Sequence, residues 1–290
     1  MEKMKHIKFH NKTRPDLGFD LIKLENLLLR DELVEITQLH KIEFFHILVI
    51  THGKGYHTID FTDYEYQKGT LLTIRKDRAH RFYKSPDAKG YLLLFTEDFL
   101  ASKFGEAEVL LSLQLFNELL SSPRIELGEK DFEETMHLIG DIEQEYTDYN
   151  DKFSTGIIRS ALHMLVIKLF RIKARMGNTL SEKKYLKEFL EFQKLVEERC
   201  FETKKVHDYA RLMHCTTKTL NNICRAIVDK SAKAIVDEIV ITQIKRLLLN
   251  TPLTVTEIAY TAGFHEPTNL YKYFKNHTKS SPEGFRSMHA

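Results

Sequence analysis

Residues 257–275 read EIAYTAGFHEPTNLYKYFK and contain two helical patterns separated by Gly263-Phe264. The first pattern ends at Ala262, and the second begins at Pro267, a residue that suits the first turn of a helix. Glycine adopts backbone angles that other residues avoid, so the break predicts a sharp turn. The second helix then has one apolar face and one face of small polar and basic side chains.

A related pattern occurs earlier in the chain. Two sets of apolar residues share the spacing i, i+3, i+4 and i+7: Val206, Tyr209, Ala210 and Met213, and Val255, Ile258, Ala259 and Ala262. Each set forms one stripe on a two-turn helix. A turn and a second helix follow each stripe. The sequence therefore predicts two helix-turn-helix units, at about residues 206–226 and 255–276.

The second helix of each predicted unit has an outward polar face. The inward positions are Leu220, Ile223 and Cys224 in the first unit, and Leu270, Tyr273 and Phe274 in the second. The predicted DNA-contacting residues are Thr216, Thr217, Lys218, Asn221, Asn222, Arg225, His265, Glu266, Thr268, Tyr271, Lys272 and Lys275. Asn can hydrogen-bond to adenine, Lys and Arg can bind guanine and phosphate, and Thr can contact the thymine methyl group. The alternative is that these polar faces are ordinary solvated surfaces. The occurrence of two helix-turn-helix units with the same pattern of inward residues favours DNA binding.

A single helix is predicted between the two units, with Ser231 as its N-cap and Asn250 at its end. Its buried stripe is Val236, Val240, Ile244, Leu247 and Leu248. About nineteen residues span about 28 Å, close to the roughly 34 Å between successive major grooves. One stiff helix could therefore hold the two DNA-contacting helices about one turn of the duplex apart. Thr254 and Glu257 predict a capping box after it.

These residues resemble the DNA-binding domain of the AraC/XylS family of bacterial transcription regulators. The resemblance lies in EIAYTAGFHEPTNLYKYFKNHTKSSPEGFR (257–286), with its Gly-Phe turn and closing Pro282, Phe285 and Arg286, and in VHDYARLMHCTTKTLNNICR (206–225). Lys279 stands where the family usually has Gly, so that helix end must turn with a less permissive residue. Leu270 replaces a frequent Phe.

The N-terminal part has a β pattern. Short apolar and β-branched runs occupy residues 43–51, 55–61, 70–74, 80–83 and 90–95, separated by turn positions such as Thr62-Asp63. Strands at this regular spacing predict a sandwich or small barrel. GKGYHTIDF (53–61), Gly69, His80 and KGYLLLFTEDFL (89–100) are similar to the cupin sensor domain common in the same family. The resemblance implies that the barrel binds an effector.

Helical patterns follow the strands at residues 108–120, 129–149 and 153–176. Their apolar faces could pack on the barrel or pair with a second copy of the chain, and the resemblance implies a role in dimerisation. The expected fold is α+β, with an N-terminal cupin-like β-barrel and its following helices, and an all-α C-terminal domain. We expect a sensor domain over residues 1–105, a helical dimerisation and linker region over 106–180, and the DNA-binding domain over 181–290.

Composition supports a cytoplasmic protein. No secretory signal is visible, no apolar run could span a bilayer, and the chain has 3 Cys and a net charge of +2. The charge is uneven, because residues 203–290 hold 13 Lys and Arg residues against 7 Asp and Glu residues. A basic C-terminal part suggests a polyanionic partner.

Some cupins are metal enzymes, but the strand around His57 lacks the His-x-His spacing that a metal site needs. No nucleophile motif or phosphate-binding loop is visible either. We therefore expect no catalysis, no metal and no cofactor. His46, His57 and His80 are the candidate effector contacts, as inward-facing strand residues.

The sequence thus predicts a sequence-specific transcriptional regulator, a homodimer, which binds two half-sites of double-stranded DNA about one helical turn apart. A small-molecule effector in the barrel would alter that binding, and RNA polymerase is a further candidate partner; no membrane partner is expected. The alternatives are a cupin enzyme, or a ligand-binding protein whose helical module docks another protein.

Overall fold

The structure is a computed structural model that describes residues 6–28, 36–101, 114–176 and 184–289. The chain divides into two compact units, residues 5–181 and residues 182–290. The first unit contains the strands and two long helices, and the second is helical throughout its described residues. The fold is therefore α+β with two domains, as predicted.

The described residues of the N-terminal unit form two five-stranded sheets, with strand orders β1-β3-β8-β5-β6 and β10-β7-β4-β9-β2. Its strands are β1 His6–Ile7, β2 Phe19–Lys23, β3 His40–Ile42, β4 Phe45–His52, β5 Lys54–Ile59, β6 Thr62–Gln67, β7 Thr70–Ile74, β8 Ala79–Phe82, β9 Lys89–Phe95 and β10 Arg124–Glu126. The described pairings are antiparallel, apart from the parallel pair of β1 and β3.

Strand β4 lies in the middle of its sheet and is buried on both faces. Leu48 and Ile50 belong to the core shared with the other sheet. Phe45, Ile47 and Val49 belong to the core under the helices. Because successive strand residues point to opposite faces, burial of both faces favours a nearly continuous apolar run, FHILVI, in which His46 is the one polar residue.

The predicted turn at Thr62-Asp63 is wrong. Strands β5 and β6 form a hairpin that pairs Ile59 with Thr62, and the turn residues are Asp60 and Phe61, both with positive φ. The sequence prediction missed β6 because this strand, TDYEYQ, is largely polar. It lies at the edge of its sheet, where much of a strand faces solvent.

The helices of this unit are α1 Leu24–Leu28, α2 Glu97–Ala101, α3 Glu129–Asp148 and α4 Ser154–Arg175. The apolar stripe of α4 is buried, together with Leu138, Ile139 and Ile142 of α3, in the core that also contains β4. These helices therefore pack on the sheet. Most of the helix predicted over residues 108–120 lies outside the described residues, and residues 116–120 form turns instead.

The C-terminal unit contains α5 Leu186–Arg199, α6 Val206–Leu212, α7 Thr217–Val228, α8 Ala232–Asn250, α9 Val255–Thr261, α10 Pro267–Thr278 and α11 Pro282–His289. Helices α6 and α7 form the first helix-turn-helix unit, and α9 and α10 form the second. Helix α8 connects them and packs against α5, α6, α7, α9 and α11. Ile235, Val236, Ile239, Val240, Ile244 and Leu248 are buried along it.

Polar side chains mark three helix starts, and the sequence predicts two of them, Ser231 and the Thr254–Glu257 capping box. The hydroxyl of Thr216 accepts a hydrogen bond from the backbone N–H of Thr219, and Ser231 accepts one from Ala234. Thr254 and Glu257 form the predicted capping box. Each cap satisfies backbone N–H groups that have no partner inside the first turn of a helix.

The two turns have matching backbone hydrogen bonds. In the second unit the N–H of Phe264 donates to the carbonyl of Ala259 (2.9 Å), and in the first the N–H of Cys215 donates to that of Ala210 (2.9 Å). Gly263 has a φ of +73°. Its position corresponds to that of His214, which has a φ of 51°. The internal repeat in the sequence is therefore also a repeat of backbone geometry.

The second turn lies against the segment that follows α5. A Cβ added at Gly263 would lie 2.2 Å from the carbonyl oxygen of Phe201, besides requiring the left-handed backbone. The ammonium group of Lys204 donates to the carbonyl of Ala262 and lies 4.4 Å from the ring centroid of Phe264. Burial lowers the pKa of Lys204. The turn is thus fixed by its own glycine and by a distant part of the unit.

Lys279→Gly should raise the free energy of unfolding of the C-terminal unit by about 0.5–1 kcal/mol, because Lys279 ends α10 with a φ of 62°. Asp229 ends α7 in the same region, with a φ of 55°. Asp tolerates left-handed backbone angles better than Lys, so Asp229→Gly should raise the free energy of unfolding by less than Lys279→Gly does. Native-state hydrogen exchange on α8 measures both, and a loss of protection in Lys279→Gly would contradict this account.

Gly263→Ala should destabilise the C-terminal unit by about 2 kcal/mol or more, since the added methyl group meets the Phe201 backbone in a strained conformation. Gly140→Ala is the control: Gly140 lies within α3 with no atom within 4 Å of an added Cβ. This control should stabilise the N-terminal unit by about 0.5–1 kcal/mol. Unchanged hydrogen exchange of α9 and α10 in Gly263→Ala would rule out the proposed tight contact.

Candidate nucleic-acid interface and ligand cavity

The first candidate surface is the outer face of α7 and its cap. Leu220, Ile223 and Cys224 are buried, as the pattern predicts. Five of the predicted contact residues are exposed: Thr216, Thr217, Lys218, Asn222 and Arg225. They present hydroxyl, amide and cationic groups on one surface. Such groups can bind phosphates and base edges.

Asn221, also predicted to contact DNA, has a different environment. Its side chain is half-buried; its Nδ2 donates to the carbonyl of Thr217 (2.9 Å), and its Oδ1 accepts the N–H of Ala232 (3.0 Å). The side chain therefore satisfies a backbone donor at the start of α8. Helical periodicity could not separate Asn221 from Asn222, because the residue that Asn221 supports lies on the next helix.

The second candidate surface is the outer face of α10 and the residues before it. His265, Glu266, Thr268, Lys272 and Lys275 are exposed. Leu270 and Phe274 are buried beneath them. The exposed Tyr271 donates its hydroxyl hydrogen bond to Glu283 of α11. Whether the twelve predicted residues contact DNA stays a prediction, but eleven of them are accessible for it.

Tyr273 and Asp237 form a connection that the sequence analysis missed. Tyr273, predicted to face inward, is half-buried, and its hydroxyl donates to Oδ1 of Asp237 on α8 (2.6 Å). Burial and the neighbouring carboxylate raise the pKa of Tyr273. Asp237 is 8% exposed, and it also binds Lys233 and lies 3.9 Å from Nε2 of His277. These polar contacts attach α10 to α8.

Arg286 performs a similar role at the other end of α8. Its Nε donates to the carbonyl of Leu248 and its guanidinium NH2 group to that of Leu253, both at 2.7 Å. The Leu248 carbonyl lies in the last turn of α8, where a helix leaves acceptors without intrahelical partners, and the Leu253 carbonyl lies in the connection before α9. The closing Arg of the sequence motif therefore fixes the corner between α8 and the second helix-turn-helix unit.

The N-terminal unit contains a cavity of about 580 Å³. Its buried lining consists of two imidazoles and five apolar side chains: His40, His46, Ile42, Phe44, Phe82, Leu92 and Leu94. Its less buried lining is mixed: it includes apolar side chains such as Ile7, Phe9 and Leu27, and the polar side chains Lys8, Lys23, Asp20, Glu143 and Tyr146. The volume is typical of a small-molecule site.

Strands β3, β4, β5 and β8 bring four buried histidines together, although they are scattered singly in the sequence. Nδ1 of His80 lies 3.2 Å from Nε2 of His57, and the ring of His80 is 4.1 Å from that of His40 and 5.0 Å from that of His46. Of the three predicted effector contacts, His46 is among the cavity-lining residues. His57 and His80 belong to the cluster behind it.

Three histidines of this cluster have a lowered pKa, which favours the neutral imidazole. Burial lowers the pKa of His57 to about 3, with His40 adding to the shift. Burial also lowers the pKa of His46 and His80 below the ordinary value, and neighbouring histidines lower it further. Within the described ranges, no group of three or more His, Cys, Asp or Glu side chains has the geometry to hold a metal ion.

Two family comparisons match the two units. Residues 33–167 match an AraC-like ligand binding domain, and residues 209–288 match a helix-turn-helix domain. None of the helices described here is long and apolar enough to cross a membrane.

Among curated proteins, the chain is similar to the HTH-type transcriptional activator RhaS of Citrobacter koseri, with 20% identity over 85% of this chain and 86% of the relative. The structure of fatty acid-bound ToxT from Vibrio cholerae matches 94% of this chain and 95% of its own, with 13% identity and a TM-score of 0.43. The DNA-bound domain of AdpA matches 34% and 89%, with 23% identity and a TM-score of 0.32. By the two domain matches and the RhaS relative, the chain belongs to the AraC/XylS family of transcriptional regulators.

Proposed function

We propose that this regulator reads DNA with two helices, α7 and α10, which contact half-sites about one helical turn apart. The observation that supports this is the presentation of two exposed polar faces by one compact unit, with α8 packed against both helix-turn-helix units. Helix α8 has 19 residues, which corresponds to a length of about 28 Å. That length suits two adjacent major grooves.

Effector control follows from the cavity. A small molecule bound among the strands of the N-terminal unit would favour one of the arrangements of the protein and thereby change its affinity for DNA. The protein acts in this proposal as a cytoplasmic regulator without catalytic activity. RNA polymerase is a candidate partner of the DNA-bound form.

The two neighbouring asparagines provide the test. In a selection from a random duplex pool, Asn222→Ala should relax the preference at a few base pairs, at a cost of about 1–3 kcal/mol. Lys272→Ala should relax it in the other half-site. Asn221→Ala is the matched control: it should reduce the stability of α8 by about 1 kcal/mol and leave the preferred sequence unchanged.

Two results would contradict the proposal. If no sequence is enriched by the wild-type protein, α7 and α10 do not read bases, and a protein-docking role for the helix-turn-helix units gains support. If Asn222→Ala and Lys272→Ala weaken binding equally on every sequence, these side chains bind phosphates and carry no specificity.

We propose in addition that the regulator forms a homodimer through α4. One face of this helix is buried against the sheet, but Ile157 and Met164 on another face are each 49% exposed. Phe153 and Ile167 are exposed in the same row, at spacings of three, four and seven residues. A row with this period is suited to pairing with a second helix.

Met164→Lys should therefore raise the dimer dissociation constant by about tenfold or more, since a charge would be buried in the pair. Sedimentation velocity on the full chain measures the change. Gln144→Lys makes the same charge change on the exposed face of α3 and should leave the constant unchanged. Equal effects of the two substitutions would place the interface elsewhere.

A further inference from the structure

The cavity of the N-terminal unit is divided by depth. Among the polar groups of its less buried part, Lys23 and Glu143 form an ion pair (2.8 Å), and the hydroxyl of Tyr146 donates to Asp20 (2.7 Å). Its buried walls are apolar, with Ile42, Phe44, Phe82, Leu92 and Leu94 in the core between the sheets. A ligand that fills the interior must therefore present mainly apolar surface.

His46 is the exception in this interior. It is 4% exposed, it lines the cavity, and neither of its ring nitrogens has a hydrogen-bond partner among the described residues. His40, the other buried imidazole of the lining, has its Nδ1 3.0 Å from the carbonyl of Gln38. The neighbours of His46 offer it ring contacts, at 5.0 Å from Phe44 and 5.0 Å from His80. A buried polar group without a partner is costly, so a group from a ligand would relieve this cost.

The lining distinguishes between classes of ligand. A neutral imidazole has one donor and one acceptor nitrogen, and a hydroxyl group can bind to either. A sugar carries a hydroxyl on most of its carbons, and each would need a partner in the interior. Apart from His40 and His46, the buried lining that the structure describes provides no such partners, because the other polar lining residues are in the less buried part of the cavity. A ligand with a single inner hydroxyl loses far fewer hydrogen bonds when it moves from water into the cavity.

We propose that the cavity binds an apolar, ring-containing small molecule whose one inner hydroxyl group hydrogen-bonds to His46, and that it does not bind sugars. This inference rests on the proposed effector function and specifies the chemical class of the effector. The aromatic rings of Phe44 and Phe82 provide flat surfaces for the ring system. His46 is then the residue that determines specificity.

The test uses the full chain with three probes: 2-naphthol, 2-methylnaphthalene, which replaces the hydroxyl by a methyl group, and glucose. Calorimetry or competition for 2-naphthol fluorescence gives the dissociation constants. Both naphthalenes should bind, and glucose should not bind at the same concentrations. His46→Phe, which keeps a ring of similar size, should reduce the preference for 2-naphthol over 2-methylnaphthalene by about three- to tenfold.

Two further variants make the result specific. His46→Gln retains a donor group and an acceptor group and should keep most of the preference. This variant also keeps the inference testable if His46→Phe fails to fold. His137→Phe, on the exposed face of α3, should change nothing. Binding of glucose, no binding of either naphthalene, or an unchanged preference in a folded His46→Phe would each overturn the inference. Sequence selection with the same variants tests DNA reading separately, so the two proposals can fail independently.

Discussion

Burial of helix α8 between two similar helix pairs is the constraint on which the C-terminal unit depends. Apolar side chains from Ile235 to Leu248 pack along the helix, and it contacts helices of both pairs. Polar contacts fix its surroundings: Asn221 satisfies a donor at its start, Asp237 binds Tyr273, and Arg286 binds carbonyls at its end. Apolar packing supplies most of the stability of such a helix, while directional hydrogen bonds restrict the orientation of α7 and α10 relative to it. A rigid separation of two polar faces is what DNA with a fixed helical repeat requires.

Much of this unit could be predicted from the sequence, because its determinants are local. Stripe spacing, caps such as Ser231 and Thr254, and the glycine of the second turn act within one or two turns of chain. The roles of Lys204, Asn221 and Asp237 could not be predicted in the same way. Each binds a group on another helix or turn, and helical periodicity carries no information about which element packs nearby. Asn221 is one example, because its amide oxygen accepts the N–H of Ala232 on α8.

In the N-terminal unit, the strands that could be predicted from the sequence were those with buried, apolar side chains. Strand β4 was recognisable because both of its faces are buried, whereas β6 is polar and lies at a sheet edge. Short strands such as β2 and β10 were missed, since their apolar runs are brief and their pairing partners are distant in sequence. The histidines illustrate the limit most clearly. Four separate strands assemble the cluster, and strand register decides that His46 lines the cavity while His57 and His80 do not.

The central claim is that α8 holds two DNA-reading helices at one fixed separation. The most direct measurement is the affinity of the full chain for its selected duplex after insertion of base pairs between the two half-sites. An insertion of about five base pairs turns one half-site to the opposite side of the duplex. The account predicts that affinity then falls to that of a duplex with a single half-site, and that an insertion of about ten base pairs does not restore it, because the helix cannot lengthen. Affinity that is unchanged by the half-turn insertion would contradict the claim, since it would mean that the two helices move independently or that one of them does not read DNA.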